Sequence, residues 1–200
     1  MGSALIVLAS RSPRRSQLLD QIGVAHEVLA VDLDEARAPG ETPRHYVARV
    51  ARDKAVRARA TYRLQAGRIL LAADTAVALG DELLAKPVDE ADCVRMLGVL
   101  SGRTHEVMTA IAVHDGETLL EQVSVSRVTF RAIEPAERRR YWASGEPADK
   151  AGGYAIQGLG AVFVARLEGS YSGVMGLPLF ETASLLAKAG IPVWQEAVLA

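Results

Sequence analysis

Residues 4–23 read ALIVLASRSPRRSQLLDQIG, and this stretch decides how the fold begins. The six apolar residues 4–9 are typical of a buried strand. Ser12 and Pro13 then mark a helix start, with a capping residue followed by proline at the first helical position. Leucine and isoleucine at helical spacing predict a helix that Gly23 ends. The chain is therefore expected to open with a strand, a tight turn and a helix.

Strand and helix patterns continue to interleave along the chain. Two long strands over 104–131 are joined at Asp115-Gly116, a strong hairpin turn. The other predicted strands are 26–31, 69–73 and 161–167, and the other helices are 43–64, 89–100, 135–144 and 177–189. Because the central hairpin requires antiparallel pairing, we predict an α/β protein with a mixed twisted sheet and flanking helices.

The charges of the chain nearly cancel. Its 200 residues include 23 basic and 24 acidic side chains, a formal net charge of −1. Such a chain lacks the positive field that non-specific nucleic-acid binding requires, so we expect no nucleic-acid partner. Binding of nucleic acid by the arginine-rich helix 44–63 is the alternative, and it is disfavoured for this reason. Only four basic residues are lysines: Lys54, Lys86, Lys150 and Lys188.

No stretch of the sequence predicts export or membrane insertion. The apolar run 4–9 precedes its basic cluster, which is the reverse of a signal peptide, and it is too short for one. No apolar stretch approaches the roughly 18 residues needed to span a bilayer. We expect a soluble, cytoplasmic protein with no membrane partner.

The cysteine and histidine content argues against several chemistries. The single cysteine, Cys93, excludes an intramolecular disulfide and a multi-cysteine zinc site, and we interpret it as a packed core residue. The histidines do not cluster, and His105 is best interpreted as a structural hydrogen-bonding residue. There is no GxSxG motif and no convincing Ser/His/Asp order, so nucleophilic acyl chemistry is not predicted.

The turn between the first strand and the first helix is a candidate anion site. Residues 9–15 read ASRSPRR. A helix N-terminus offers free N–H groups and the positive end of the helix dipole, and arginine can bind phosphate oxygens through two hydrogen bonds. The glycines of a Walker A loop are missing. An ordinary capped helix with exposed arginines is the alternative, and this segment alone does not decide between them.

Asp74 is a candidate for a catalytic group. It follows the apolar residues 69–73, and a carboxylate that ends a strand lies at a sheet edge, where α/β proteins place catalytic groups. There it could bind a divalent metal or deprotonate a water. A turn residue or a cap is the competing interpretation. Lys86, beside Pro87 in a predicted tight loop, is poorly placed for mere solvation.

Three further segments carry side chains suited to a ligand site. Lys54 lies on the long helix, where a surface lysine is the ordinary interpretation. The segment DKAGGYAIQG (149–158) permits close backbone approach, and Gln157 could bind the edge of a base through its paired donor and acceptor. Glu35 and Glu41, in the acidic loop 32–43, could each complete a metal shell, although solvated loop carboxylates are more common.

Taken together and in this order, these segments resemble the Maf family of nucleoside triphosphate pyrophosphatases. The matching blocks are LASRSPRR (8–15), RVARDKA (49–55), AADT (72–75), KPVD (86–89), SGRTHEV (101–107), DKAGGYAIQG (149–158) and GLPL (176–179). They extend over nearly the whole chain. The resemblance implies a single Maf-like domain over 1–200, with two lobes around a central cleft as in Maf and ITPase-like folds.

The resemblance also implies an activity and a set of site residues. The family hydrolyses a nucleoside triphosphate to the monophosphate and pyrophosphate with a divalent metal, here Mg²⁺ or Mn²⁺. Asp74 would be the catalytic proton acceptor and would bind the metal together with Glu35. The implied substrate-binding residues are Ser10, Arg14, Arg15, Lys54, Thr75, Lys86 and Gln157. The SPRR, DT and IQG segments are similar to those of the branch that acts on dTTP and UTP.

The predicted function is hydrolysis of dTTP and UTP in nucleotide-pool sanitation, with other or modified pyrimidine nucleotides left open as substrates. A nucleotide-binding regulator of cell division or septum formation with little turnover is the alternative. A binding module, however, has no need for Asp74 beside so many phosphate ligands. A homodimer is expected from the family resemblance alone. Residues 172–175 (SGVM) depart from what many members have before GLP, which affects local substrate contacts rather than the reaction.

Overall fold

The chain opens with a strand, a helix and a second strand, as predicted. The computed structural model describes residues 6–62 and 67–194, so residues 4 and 5 of the predicted first strand lie outside the described residues. The elements of this opening unit are β1 (Ile6–Ala9), α1 (Pro13–Gln21) and β2 (His26–Leu29). β2 ends before the predicted residue 31.

The remaining elements interleave strands and helices. In chain order they are α2 (Pro43–Tyr62), β3 (Ile69–Leu79), β4 (Glu82–Leu84), α3 (Glu90–Leu100), β5 (Thr104–His114), β6 (Leu119–Phe130), α4 (Pro135–Ala143), β7 (Val164–Glu168), α5 (Tyr171–Met175) and α6 (Leu179–Lys188). Residues 63 and 64 of the predicted long helix lie outside the described residues. In the described ranges, no helix has both the length and the apolar character needed to cross a membrane.

Several boundaries differ from the predictions because tertiary pairing overrides local patterns. The sequence predicts a strand over 69–73 and then a separate small hairpin that turns at Gly80-Asp81. That turn is confirmed between β3 and β4, but β3 runs without a break from Ile69 through Asp74 to Leu79, because β5 pairs with it along its length. Residues 159–163 form a short 3-10 helix before β7 rather than the first part of that strand. The sequence predicts no helix at α5, and α6 begins at Leu179 rather than at residue 177.

In the described residues, seven strands form one mixed sheet in the order β2-β1-β3-β5-β6-β7, with β4 also on β3. The prediction of a mixed sheet with flanking helices is confirmed. On one edge of β3, β1 pairs with residues 69–72 and β4 pairs with residues 77–79. Residues 73–76 are therefore uncovered on that edge, and we call this break the sheet gap.

Alternation along β3 sends neighbouring residues of the sheet gap to opposite faces. Leu70 and Ala72 pack in a cluster with the alanines of α2, so Asp74 faces α2. Ala73 packs in a cluster with α1 and α6, so Thr75 faces that side. The strand period thus directs Asp74 and Thr75 to different helices, while both lie beside the same break in the sheet.

A third hydrophobic cluster packs around the end of the β5–β6 hairpin that lies away from its turn, and it forms a second lobe. Phe130, Tyr141 and Tyr154 pack in this cluster with α3. His105 is buried in it, with Nε2 2.8 Å from Tyr154 Oη, which agrees with the predicted structural role. Cys93 is also buried there, as predicted. The other lobe is built by α1, α2 and α6 on the two faces of the sheet.

Candidate functional site

A cavity of about 950 Å³ opens between the two lobes at the sheet gap. Its size falls within the ~300–1,000 Å³ typical of small-molecule sites. The residues that line it include every site residue that the family resemblance implies: Ser10, Arg14, Arg15, Glu35, Lys54, Asp74, Thr75, Lys86 and Gln157. The structure thus brings these side chains together, while their individual roles stay predictions.

Asp74 lies in the sheet gap and is 6% exposed. It was expected at the end of a strand; instead it lies within β3 and reaches the cavity because β1 has already ended. Lys54 Nζ donates to Asp74 Oδ1 at 2.8 Å. Burial raises the pKa of Asp74, and the charges of Lys54 and Arg15 oppose that effect only in part. A carboxylate with a raised pKa is a better proton acceptor than a solvated one.

Lys54 bridges two carboxylates. Its Nζ lies 2.8 Å from Asp74 Oδ1 and 2.8 Å from Glu35 Oε1. The lysine side chain is only 12% exposed, so the surface-lysine interpretation is wrong. Two carboxylates therefore converge on one cationic position, and hard oxygen donors of this kind suit Mg²⁺ or Mn²⁺. Among the described residues, no group of three or more His, Cys, Asp or Glu side chains has metal-site geometry.

Glu41, the other carboxylate considered for a metal shell, pairs with Arg49 rather than lining the cavity. Arg49 donates to its two oxygens at 2.7 and 2.9 Å. This contact lowers the pKa of Glu41 to about 2. Since Glu41 is not among the residues that line the cavity, the hypothesis that it completes the shell is wrong.

Arg15 is a buried cation in the wall of the cavity. Its Nε donates to Gly176 O at 2.8 Å. Nη1 donates to Ser10 Oγ and Nη2 to Thr75 Oγ1, both at 3.1 Å. Burial lowers the pKa of Arg15, and the charge of Asp74 opposes this. Within the described part of the chain no carboxylate pairs directly with this guanidinium, which suits it to an anionic ligand.

Two threonine hydroxyls extend the contacts of Arg15 across the sheet. Thr109 Oγ1 donates to Gly173 O at 2.7 Å, which commits its only proton. Thr75 must therefore donate to Thr109 across the 3.0 Å that separates their hydroxyls, and it accepts from Arg15. The result is a directed chain from Arg15 through Thr75 and Thr109 to the backbone of α5.

Ser10 holds the turn between β1 and α1 in place. Its hydroxyl oxygen accepts from Ser12 N at 3.2 Å and from Arg15 Nη1 at 3.1 Å. Ser12, the capping residue of α1, makes no side-chain hydrogen bond to the helix. In the first turn of α1, Pro13 has no N–H and Arg15 N donates to Ser12 O at 3.2 Å, so the anion site that the sequence predicts there depends on Arg14 and on the guanidinium groups more than on a row of free N–H groups.

Arg14, Lys86 and Gln157 line the cavity with fewer protein contacts. Arg14 Nη1 is 3.9 Å from Asp149 Oδ2, and Asp149 also contacts Lys150. Lys86 and Gln157 are exposed, and neither forms a hydrogen bond or ion pair with another described residue. Their polar groups are therefore free to contact a ligand.

Two residues of the site were not predicted from the sequence. Thr109 lies opposite Thr75 in the β3–β5 register, which only the folded sheet reveals. Tyr46 lines the cavity, although its spacing on α2 indicates a core residue. Burial and the charges of Asp74 and Glu35 raise the pKa of Tyr46 to about 12, so it is a neutral donor at pH 7.

The fold and the cavity define an α/β protein with one buried carboxylate in a cleft rich in Arg and Lys. The chain belongs to the Maf-like protein family, whose model matches residues 5–189. A relative from Saccharophagus degradans named dTTP/UTP pyrophosphatase is 54% identical over 195 residues, 97% of this chain and 93% of the relative.

Two further comparisons give the same family and a more distant likeness. A relative of the same name from Bordetella parapertussis is 54% identical over 194 residues, 94% of each chain. Among solved structures, the Ham1 protein of Staphylococcus aureus is 16% identical, with a TM-score of 0.43 over 65% of this chain and 72% of that one.

Proposed function

We propose that this chain is a nucleoside triphosphate pyrophosphatase that hydrolyses dTTP and UTP to the monophosphate and pyrophosphate, in nucleotide-pool sanitation. The observation that carries the proposal is Asp74, a buried carboxylate with a raised pKa at the sheet gap, where the sheet opens into a cationic cavity. The name of the relatives, which are about half identical over nearly their full length, supports the choice of substrate.

The cavity suits the charge of the substrate. A nucleoside triphosphate carries about four negative charges at neutral pH, which the protein must offset by cations and hydrogen-bond donors. Arg14, Arg15 and Lys86 line the cavity together with the first turn of α1. We assign the phosphate chain to these groups, because Arg15 is buried without a carboxylate partner in the described residues and Lys86 forms no hydrogen bond or ion pair with another described residue.

The metal site in this proposal is formed by Asp74 and Glu35. Their oxygens both lie 2.8 Å from Lys54 Nζ, so the two carboxylates can share a cation. Mg²⁺ is commonly held by one or two carboxylates, with the remaining positions taken by substrate phosphates and waters. When bound, such an ion supplies charge neutralisation on the phosphates and polarises the phosphorus centre.

Asp74 acts as the base in the proposed reaction. Water attacks the α-phosphorus, and Asp74 accepts its proton as the new oxygen–phosphorus bond forms. The bond between the α-phosphorus and the oxygen that bridges to the β-phosphate breaks, and pyrophosphate leaves with that oxygen. Arg and Lys side chains along the β- and γ-phosphates stabilise the leaving group, mainly by electrostatics and positioning.

Base recognition is assigned to Gln157. Its amide offers one acceptor and two donor hydrogens, which match the paired groups on the edge of a pyrimidine. It lies exposed in the cavity wall on the glycine-rich segment, beside Ile156, whose apolar side chain also lines the cavity. Thr75 contributes through Arg15 rather than through a free hydroxyl, because its proton is committed to Thr109.

Pyrophosphate release measured over dTTP, UTP, CTP, dATP and dGTP, each with Mg²⁺ and with Mn²⁺, tests the proposal. Fastest release from dTTP and UTP supports it. Tight nucleotide binding without turnover would favour the alternative, a regulator of cell division. A mobility shift with DNA or RNA that salt abolishes would instead favour nucleic-acid binding.

The proposal includes a single Maf-like domain over 1–200, a cytoplasmic location and a homodimer. The family resemblance supports the single domain and the homodimer, whereas the cytoplasmic location is the expectation drawn from the sequence. Light scattering on the purified protein tests the homodimer: a mass of twice 21.4 kDa supports it, and a mass equal to 21.4 kDa contradicts it.

A further inference from the structure

The glycine-rich segment that carries Gln157 is fastened by one carboxylate, that of Glu146. Glu146 Oε1 accepts from Tyr141 Oη at 2.6 Å and from Gly160 N at 3.0 Å. Glu146 Oε2 accepts from Leu159 N at 2.9 Å. Three hydrogen bonds therefore converge on this side chain, two of them from backbone groups that follow Gln157.

Tyr141 extends the fastening to the other side of Gln157. Its hydroxyl donates to Glu146 and accepts from Ala155 N at 3.0 Å. The backbone is thereby held at residues 155, 159 and 160, which bracket residue 157. We call Tyr141 and Glu146 the loop clamp.

The glycines of the segment fit the loop clamp closely. A Cβ atom at residue 158 would lie 2.0 Å from Glu146 Oε2, and one at residue 160 would lie 2.6 Å from Tyr141 Oη. Contacts this short are not tolerated without displacement of the clamp side chains. Gly158 and Gly160 are therefore required by close approach, and their absent side chains leave the space that the clamp occupies.

The loop clamp lies outside the cavity. Neither Tyr141 nor Glu146 lines it, whereas Ala155, Ile156 and Gln157 do. Burial raises the pKa of Glu146, but the bonds from Tyr141 and from the two backbone N–H groups outweigh this and lower it overall. Glu146 is therefore ionised at neutral pH and accepts all three bonds, which are strengthened by its charge.

We propose that Glu146 and Tyr141 are positioning residues that set the base selectivity of the cavity by fixing where Gln157 points. The inference rests on the proposed function, because it assigns a support to the side chain that is proposed to recognise the base. Displacement of a positioned group by about 1 Å can change rates by as much as ~10²-fold. Loosening the segment should therefore reduce the selectivity between bases more than it reduces the rate of hydrolysis.

The test compares kcat/KM for dTTP with kcat/KM for dATP in wild type, Glu146→Gln and Tyr141→Phe. Gln is isosteric with Glu but offers only one acceptor oxygen, so one backbone N–H of the segment loses its partner. We expect the dTTP-to-dATP ratio to fall about tenfold or more in both variants. The products should remain the monophosphate and pyrophosphate.

Glu137→Gln is the matched control. Like Glu146, Glu137 on α4 accepts hydrogen bonds from a side chain and from the backbone, here from Arg131 and from the N–H of Glu134. It is not among the cavity-lining residues, so its loss should leave the ratio unchanged. The same substitutions in a Gln157→Ala background separate positioning from a general effect, because a clamp that acts through Gln157 has no further effect on the ratio once that side chain is absent.

Hydrogen exchange on the wild-type protein tests the loop clamp even if the variants fail to fold. We expect the amides of Ala155, Leu159 and Gly160 to exchange more slowly than that of Gln157 without any nucleotide. Equal exchange rates would overturn the inference, as would an unchanged ratio in folded variants or an equal loss in the Gln157→Ala background. If wild type itself turns over neither dTTP nor UTP, the proposed function fails and the inference fails with it. Normal wild-type turnover together with an unchanged dTTP-to-dATP ratio in the variants contradicts only the inference.

Discussion

Lys54 Nζ lies 2.8 Å from Asp74 Oδ1, between α2 and the sheet gap. The contact exists because the strand period turns Asp74 toward α2 and the helical period places Lys54 on the face of α2 that meets it. Removing one partner of a buried ion pair leaves the other charge uncompensated. Lys54 therefore supports the ionised form of Asp74, which burial would otherwise suppress.

The pH dependence of activity should report this pair. Because the base must be ionised, kcat/KM should fall toward acid pH through a pKa above 3.8, the ordinary value of an aspartate. Lys54→Met removes the main opposing charge, so the acidic limb of the profile should move to higher pH. Pyrophosphate release from dTTP, measured over a pH series for wild type and for Lys54→Met, gives the acidic limb of each profile.

Lys188→Met is the control for that series, because Lys188 is exposed near the end of α6. Its profile should superimpose on that of wild type. A limb at or below pH 3.8, or one that Lys54→Met does not move, would contradict the assignment of Asp74 as the titrating base.

Glu35→Gln should weaken the response to metal. The substitution removes one of the two anionic oxygen donors proposed for the ion, so a higher Mg²⁺ concentration should be required for half-maximal rate, by about tenfold. A Mg²⁺ titration at saturating dTTP measures it. Glu41→Gln is the matched control from the same loop: Glu41 pairs with Arg49 outside the cavity, and an equal shift in both variants would refute the role of Glu35.

Thr109→Val should weaken phosphate binding although residue 109 does not line the cavity. The change removes the proton that Thr109 donates to Gly173 O and the acceptor that Thr75 uses, so the Thr75 hydroxyl that accepts from Arg15 is no longer held in place. We expect KM for dTTP to rise by about 3- to 10-fold with a smaller change in kcat, and the free energy of unfolding to fall by about 1 kcal/mol.

A conservative variant distinguishes an effect of the hydrogen-bonded hydroxyls from an effect of changed packing at residue 109. Thr109→Ser keeps the hydroxyl and should restore KM. Thr129→Val removes a hydroxyl from a similar pair, with Thr104 at the exposed end of the hairpin, and should leave KM unchanged. A normal KM in Thr109→Val would show that Arg15 is oriented by other contacts.

Stability at mildly acidic pH should depend on His105. Burial lowers its pKa from 6.5 to about 4. Between these values the unfolded chain binds a proton that the folded protein does not, so the free energy of unfolding falls as pH falls from 6.5 to 4, by about 3 kcal/mol in total. Urea unfolding of wild type and His105→Gln at several pH values measures the difference.

The exposed His45 provides the comparison, since His45→Gln should retain the wild-type pH dependence of stability. His105→Gln should be flatter over the same range. Identical slopes for His105→Gln and wild type would mean that folding does not lower the pKa of His105.

Local patterns were sufficient for much of the fold. The apolar run before the β1–α1 turn, Pro13 after its capping residue, and Asp115-Gly116 between two long strands each specify their element through neighbours in sequence. The same holds for α3, where Asp89 caps the helix by accepting from Asp92 N at 2.8 Å.

The site required information that no local pattern contains. The apolar run 69–73 ends at a charged residue, but Asp74 stays in β3 because β5 pairs beyond it and β1 does not. Thr109 acquires its role only from the register opposite Thr75. The resemblance to a family named the site residues before their positions were known. The loop clamp, the sheet gap and the hydrogen-bonded hydroxyls of Thr75 and Thr109 can be seen only in the folded structure.

Conversion of dTTP by Asp74→Asn, measured beside wild type with Mg²⁺ as dTMP and pyrophosphate formed per minute, tests the central claim most directly. Asn is nearly isosteric and keeps an oxygen for Lys54, so the variant should fold and bind dTTP, but it cannot accept the proton. We expect equal amounts of dTMP and pyrophosphate from wild type, and a kcat at least about 100-fold lower in the variant. Near wild-type turnover by a folded Asp74→Asn protein would contradict it.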